Sequence, residues 1–288
     1  MRKSTIWGGI AAGLALAALS GSAALGASGP LPVFLAPAPA GYQCNALVND
    51  VTGRCQPGTG GQNVPAAAPL PVGVAGAWTL QFQDNFDTLD RSVWTPYWFK
   101  DCAAGSIMNG AQTCSSNVSV ADGQVSLQLS GAGRGALIST NPKDGVAGHA
   151  GAAFGLGYYE ARVLFPGSCG TRIYNWPAWW TTGQSWPGNG ENDIAEPVSG
   201  VMHSNYHSAG GNFNQSISGC WAGAYHTYGL HRQAGRNDIY FDGALVRSYA
   251  THDGGALHHL VFNVGDSPGA RAFGPAGTVK VDYVRVWK

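Results

Sequence analysis

The sequence predicts an all-β chain folded as a two-sheet sandwich, and three observations predict it. Apolar and polar residues alternate over short runs. Asp-Gly pairs separate such runs. No helix-period stretch of useful length occurs in 288 residues that include 43 glycines. Val118-Ser119-Val120, then Asp122-Gly123, then Val125-Ser126-Leu127 reads as a hairpin, because Asp-Gly supplies the positive φ angles of a two-residue turn. Ile239 to Phe241, Asp242-Gly243 and Ala244 to Val246 repeat that logic. Val279, Val281 and Tyr283 alternate with Lys280 and Asp282 and predict a further strand. The β-rich region, 77–288, is long enough for one domain.

Upstream the composition changes. Arg2 and Lys3 precede an apolar, alanine-rich run from Ile10 to Leu19, with small residues at Ser22, Ala23, Ala24 and Ala27. Residues 1–27 read as a signal peptide, since the run is short of the roughly 20 residues that span a bilayer. Residues 28–76 read as a linker: half of the 16 prolines fall there, a composition that favours extended, solvated backbone. Within it, Cys44 and Cys55 would close a small loop. Deleting residues 1–75 is expected to leave a folded domain.

Charge and cysteine content narrow the function classes. Lys+Arg and Asp+Glu each number 16, and losing the signal removes two basic residues. The mature chain is slightly acidic and shows no basic patch, so neither nucleic acid nor a membrane is an expected partner. Six cysteines in an exported chain favour disulfides. Pairing near neighbours gives Cys44–Cys55 and Cys102–Cys114 and leaves Cys169–Cys220. No Cys/His cluster has zinc spacing, and His258-His259 would face opposite ways in a strand. A secreted monomer is expected.

Only three glutamates occur in the chain, and two stand in one run, Glu191-Asn192-Asp193-Ile194-Ala195-Glu196. Crowded carboxylates repel, which raises the pKa of at least one. A pair with split pKa values is the machinery of glycoside hydrolysis. In a strand Glu191 and Asp193 share a face, whereas Glu196 would point to the other. A β-bulge around Ile194-Ala195 would bring all three onto one surface. The third glutamate, Glu160, is two residues from Arg162, and a same-face ion pair is its expected use.

Four of the ten tryptophans lie just upstream, at Trp176, Trp179, Trp180 and Trp186. If 176–180 is a strand, Trp176 and Trp180 share one face and Trp179 the other. Trp179 is expected in the core. Trp176, Trp180 and Trp186 are expected in a cleft, where indole rings stack on sugar faces.

Gly190-Glu191-Asn192-Asp193-Ile194-Ala195-Glu196 resembles the bulged ExDxxE signature of glycoside hydrolase family 16, laminarinase-like form. Phe82 to Asp87 with Trp94 resembles the family's opening strand, and Phe154 to Val163 and Trp176 to Trp180 resemble later ones. His203 to His207, His226 to Leu230, Ile239 to Gly243 and Val281 to Val286 follow in family order. The resemblance implies a concanavalin-like jelly roll with an open substrate groove. It implies Glu191 as nucleophile, Glu196 as general acid and base, Asp193 between them, and His207 nearby in the cleft. Two departures stand out. Asn192 replaces an aliphatic residue and must find partners inside the sandwich. The segment Asn263 to Gly269 lacks a tryptophan, so one familiar sugar-stacking position is missing. No cofactor is required. A structural calcium is a family feature to which Asp282 could contribute, but Asn85 stands where an acid is common, so no metal is assigned.

The expected function is a secreted, endo-acting hydrolase of a β-1,3- or β-1,3/1,4-glucan that retains configuration by double displacement. Two alternatives stay open: the same fold acting on another polysaccharide or as a transglycosylase, and a non-catalytic carbohydrate-binding protein.

Overall fold

The computed structural model describes residues 68–142, 150–169 and 172–288. The described residues all belong to one compact unit, 65–288. The signal segment, the Cys44–Cys55 loop and the linker through residue 67 lie outside the described residues.

The strands are β1 (Leu80–Asp84), β2 (Ile107–Met108), β3 (Ala111–Thr113), β4 (Val118–Ala121), β5 (Gln124–Leu127), β6 (Arg134–Ser139), β7 (Gly157–Leu164) and β8 (Trp176–Gly183). They continue as β9 (Glu191–Val198), β10 (Val201–His207), β11 (Phe213–Ser216), β12 (Tyr225–Gln233), β13 (Arg236–Phe241), β14 (Ala244–Ala250), β15 (His258–Gly265) and β16 (Val279–Trp287). The back sheet runs β14-β13-β12-β7-β16-β5-β4, with β1 on the other half of β16's edge. The front sheet runs β11-β10-β9-β8-β15-β6-β3-β2. This is the two-sheet sandwich that the alternation predicts, in the jelly-roll form that the resemblance implies. Both Asp-Gly turns form: Asp122 and Gly123 (φ 54° and 67°) join β4 to β5, and Asp242 and Gly243 (φ 47° and 75°) join β13 to β14. No helix of the described residues is long and apolar enough to cross a membrane.

The core lies between the sheets. Trp179 is fully buried there, stacked on Phe262 at 4.3 Å, and its indole N–H donates to the Tyr228 carbonyl of the back sheet (3.2 Å). The inward side of β9 is Asn192, Ile194 and Ala195, all buried. Asn192 finds its partners: Oδ1 accepts from Asn237 (2.6 Å) and Tyr249 (3.0 Å) of the back sheet, and Nδ2 reaches Thr181 Oγ1 (3.3 Å) and His258 Nδ1 (3.2 Å). A satisfied amide therefore stands where an aliphatic residue was expected, and it ties β9 to both neighbouring layers.

Pro69–Trp78, on either side of the boundary expected between 76 and 77, forms a strap on the back sheet. The Trp287 indole donates to the Pro69 carbonyl (2.7 Å), and the Val72 N–H donates to the Glu160 carboxylate (2.8 Å). Trp78 packs edge-on against His231 and tilted against Tyr158. The expected Glu160–Arg162 pair does not form. Glu160 takes Val72 N–H and the Tyr283 hydroxyl (2.9 Å), while Arg162 pairs with Asp282 across the sheet at 2.8 Å. Cross-strand neighbours lie closer than residues two apart on one strand, so the local pair loses.

Candidate active site

The register of β9 shows how the carboxylates come together. Against β8, Trp180 pairs with Asp193 but Trp179 pairs with Ala195. Against β10, Asn205 pairs with Asp193 and His203 with Glu196. On both sides β9 carries one residue more than its neighbour between Asp193 and Glu196, which is a bulge at Ile194-Ala195. Two successive residues, Ile194 and Ala195, turn inward, and Glu196 returns to the outer face with Glu191 and Asp193. The Arg247 guanidinium of β14 donates to the Ser204 carbonyl, within the same irregular stretch of β10.

All three carboxylates line a cleft of about 250 Å³. Trp180 and Trp186 line it too. Trp180 is buried, its indole N–H donating to Asn263 Oδ1 at 2.8 Å, while Trp186 is 63% exposed. Trp176 is placed otherwise than its pairing with Trp180 suggests. It is not among the cleft-lining residues, and its indole N–H donates to Glu196 Oε1 at 2.7 Å. His207 Nε2 stands 3.3 Å from Asp193 Oδ2.

Sequence reasoning missed one wall. Trp98, Met108 and Asn109 line the cleft as well. Trp98 leans on Trp180 with ring centroids 5.9 Å apart, and its backbone N–H donates to Thr113 Oγ1 (2.8 Å). The Cys102–Cys114 disulfide closes this segment, and Cys169–Cys220 also forms. The wall abuts the late segment that lacks a tryptophan. The Asp266 N–H donates to the Asn109 carbonyl (2.8 Å), and a Cβ on Gly265 would meet that oxygen at 2.1 Å. The only sequence signal was the aromatic run Tyr97-Trp98-Phe99 beside a cysteine. Asn205 was missed as well. It stands midway between His203 and His207 with the period of a strand, and its Nδ2 donates to Glu196 Oε2 at 2.6 Å.

The electrostatics follow from crowding. Burial first, and the Asp193 charge second, push Glu191 up to about 8, with His207 opposing and Glu196 adding to the rise. Burial and Glu196 hold Asp193 well above the usual carboxylate range. Three full charges therefore do not coexist here at neutral pH. Asp193 is the more deeply buried of the two, so the proton is best held there. With Asp193 neutral, Glu191 loses its largest charge repulsion, which favours its ionised form although burial still opposes it. Oxygen and nitrogen atoms of Glu191, Asp193 and His207 lie within 4.8 Å of one another, close enough to hold a cation between them.

Residues 162–229 match the family model described as the XgeA-like catalytic GH16 domain. A search of the curated proteins finds no match. Solved structures match the fold over most of its length. The laminarinase of Rhodothermus marinus is 24% identical, with 74% of this chain and 98% of that one covered and a TM-score of 0.57. The catalytic domain of an endo-1,3-β-glucanase (laminarinase) from Thermotoga petrophila is 20% identical over 74% and 99%, with a TM-score of 0.57. A family 16 endo-glucanase from Bacteroides ovatus is 21% identical over 71% and 99%, with a TM-score of 0.56. At these identities the likeness is one of fold. The carboxylates lie inside the segment matched by the family model, so over residues 162–229 the chain is similar to the catalytic domain of glycoside hydrolase family 16.

Proposed function

We propose that this protein is an exported endo-β-glucanase that cleaves a β-1,3- or β-1,3/1,4-glucan with retention of configuration. The observation that carries the reading is the bulge in β9, which sets Glu191, Asp193 and Glu196 on one cleft wall beside Trp180 and Trp186. Glu191, ionised while Asp193 keeps the proton, attacks the anomeric carbon. Glu196 protonates the departing glycosidic oxygen, then deprotonates the water that releases the sugar. His207 sits against Asp193 and helps set which carboxyl carries charge. Trp180 and Trp186 offer apolar faces to successive rings. Two disulfides suit an oxidising compartment outside the cytoplasm.

Reducing-end release from a panel of β-1,3-, β-1,4- and mixed-linked glucans, with a galactan as control, tests the substrate. Activity on the galactan alone overturns the glucan reading. Proton NMR of the first product tests the mechanism: a β-linked glucan should yield the β-anomer first. Binding without cleavage of any polymer would favour a carbohydrate-binding protein instead.

A further inference from the structure

Glu196 is held at both oxygens by groups outside its own strand. Oε1 accepts from the Trp176 indole, and Oε2 lies 2.6 Å from the Asn205 amide nitrogen. An indole N–H only donates, so Oε1 is committed as an acceptor whatever the charge on Glu196. The acidic proton therefore belongs on Oε2. A primary amide is different, because it carries a donor and an acceptor at either end of one planar group. Asn205 is 3% exposed, and its Oδ1 has no hydrogen-bond partner among the described residues. A half-turn about its Cβ–Cγ bond exchanges Nδ2 for Oδ1 beside Glu196 and breaks no other bond of that oxygen. A buried amide with a satisfied end and an orphaned end is unusual, since such groups are normally paired.

We propose that Trp176 and Asn205 are positioning residues for the acid/base, the indole steering the proton to Glu196 Oε2 and the amide turning over with it. This rests on the assignment of Glu196 above. Before reaction, Glu196 Oε2–H donates to Asn205 Oδ1. When the glycosidic C–O bond breaks, that proton passes to the leaving oxygen and its bonding pair stays on oxygen. The amide then turns, and Nδ2 donates to the new carboxylate. Water attacks the anomeric carbon, the bond to Glu191 breaks with its pair returning to that carboxylate, the water's proton goes to Oε2, and the amide turns back. Trp176 thus acts on the carboxyl and not as a sugar platform.

Leaving-group dependence separates these roles. Trp176→Phe keeps a ring and removes the N–H. It should lower kcat on glucan roughly tenfold or more, as expected when an acid is badly placed. The rate of glycosyl transfer from an aryl oligoglucoside with a good leaving group should stay near wild type, because that step needs little protonation. A rise in KM on both substrates with kcat unchanged would show a platform and overturn the role of Trp176. At Asn205, Ser keeps a group that both donates and accepts, while Leu keeps the volume and does neither. Asn205→Ser should retain more kcat on glucan than Asn205→Leu, with the glycosyl-transfer step of both near wild type on the aryl substrate. If Leu equals or exceeds Ser in folded protein, the turning amide is wrong. Glu196→Ala is run beside them. If that variant keeps wild-type activity on glucan, the assignment of Glu196 itself fails, which is distinct from either result above.

Discussion

Glu160 on the back sheet and Glu191 on the cleft wall are both carboxylates withdrawn from water, yet their surroundings differ in kind. Glu160 accepts the Val72 N–H on one oxygen and the Tyr283 hydroxyl on the other, with Arg285 nearby to favour its charge. Burial still raises it, but those partners oppose the rise. Glu191 accepts no hydrogen bond from the described residues, and its nearest charges are mostly of its own sign. One carboxylate is fully partnered and holds structure together. The other is left short of partners, at a cost to stability that a bound substrate would offset.

The largest test of that contrast is a pair of substitutions. Glu191→Gln should cut kcat on glucan by at least about a thousandfold. Glu160→Gln should leave kcat alone and lower stability by about 1–3 kcal/mol, through the mismatch between a new NH₂ and two donors. Equal losses of activity in both would erase the distinction. Trp179→Ala should destabilise by about 3–5 kcal/mol, read by denaturant unfolding, since it empties the space against Phe262.

The pH dependence sharpens the comparison further. Glu191 is pushed up to about 8 and Asp193 is held well above its usual range, so between them the folded pair keeps a proton, chiefly on Asp193, that the unfolded chain has lost. Folded protein binding more protons means that stability falls as pH rises through that window. Glu191→Gln removes one of the two crowded carboxyls and so eases this drain. Its melting temperature should exceed that of wild type, by more at pH 8 than at pH 5, and a constant difference across those pH values would reject the raised pKa. The smallest effect is expected from Trp186→Ala. An exposed ring adds only about 0.5–1.5 kcal/mol of stacking, so kcat/KM should drop roughly three- to tenfold with melting unchanged.

The bulge was readable from spacing because strand side chains alternate strictly. Three acids at positions 191, 193 and 196 cannot share a face without one extra residue. Trp179 was readable as core for the same reason. The Trp98 wall was not, because its segment is irregular and its position depends on Cys102–Cys114 and on the distant Asp266. The Glu160–Arg162 pairing failed because sequence shows neighbours along a strand but not those across it. Trp176 shared its predicted face with Trp180. What alternation could not show was that an indole edge, rather than its face, would meet the site.

The strap Pro69–Trp78 has a mechanical consequence. It is fastened to Trp287, Glu160 and Tyr158, all on the paired strands β16 and β7 at the middle of the back sheet. Any pull delivered along the chain from upstream reaches the domain through these strands. The same strands are stitched together along nearly their whole length, and neither carries a cleft residue. Tension would thus be spread through the layer behind the core, leaving the spacing of the carboxylates on β9 unchanged.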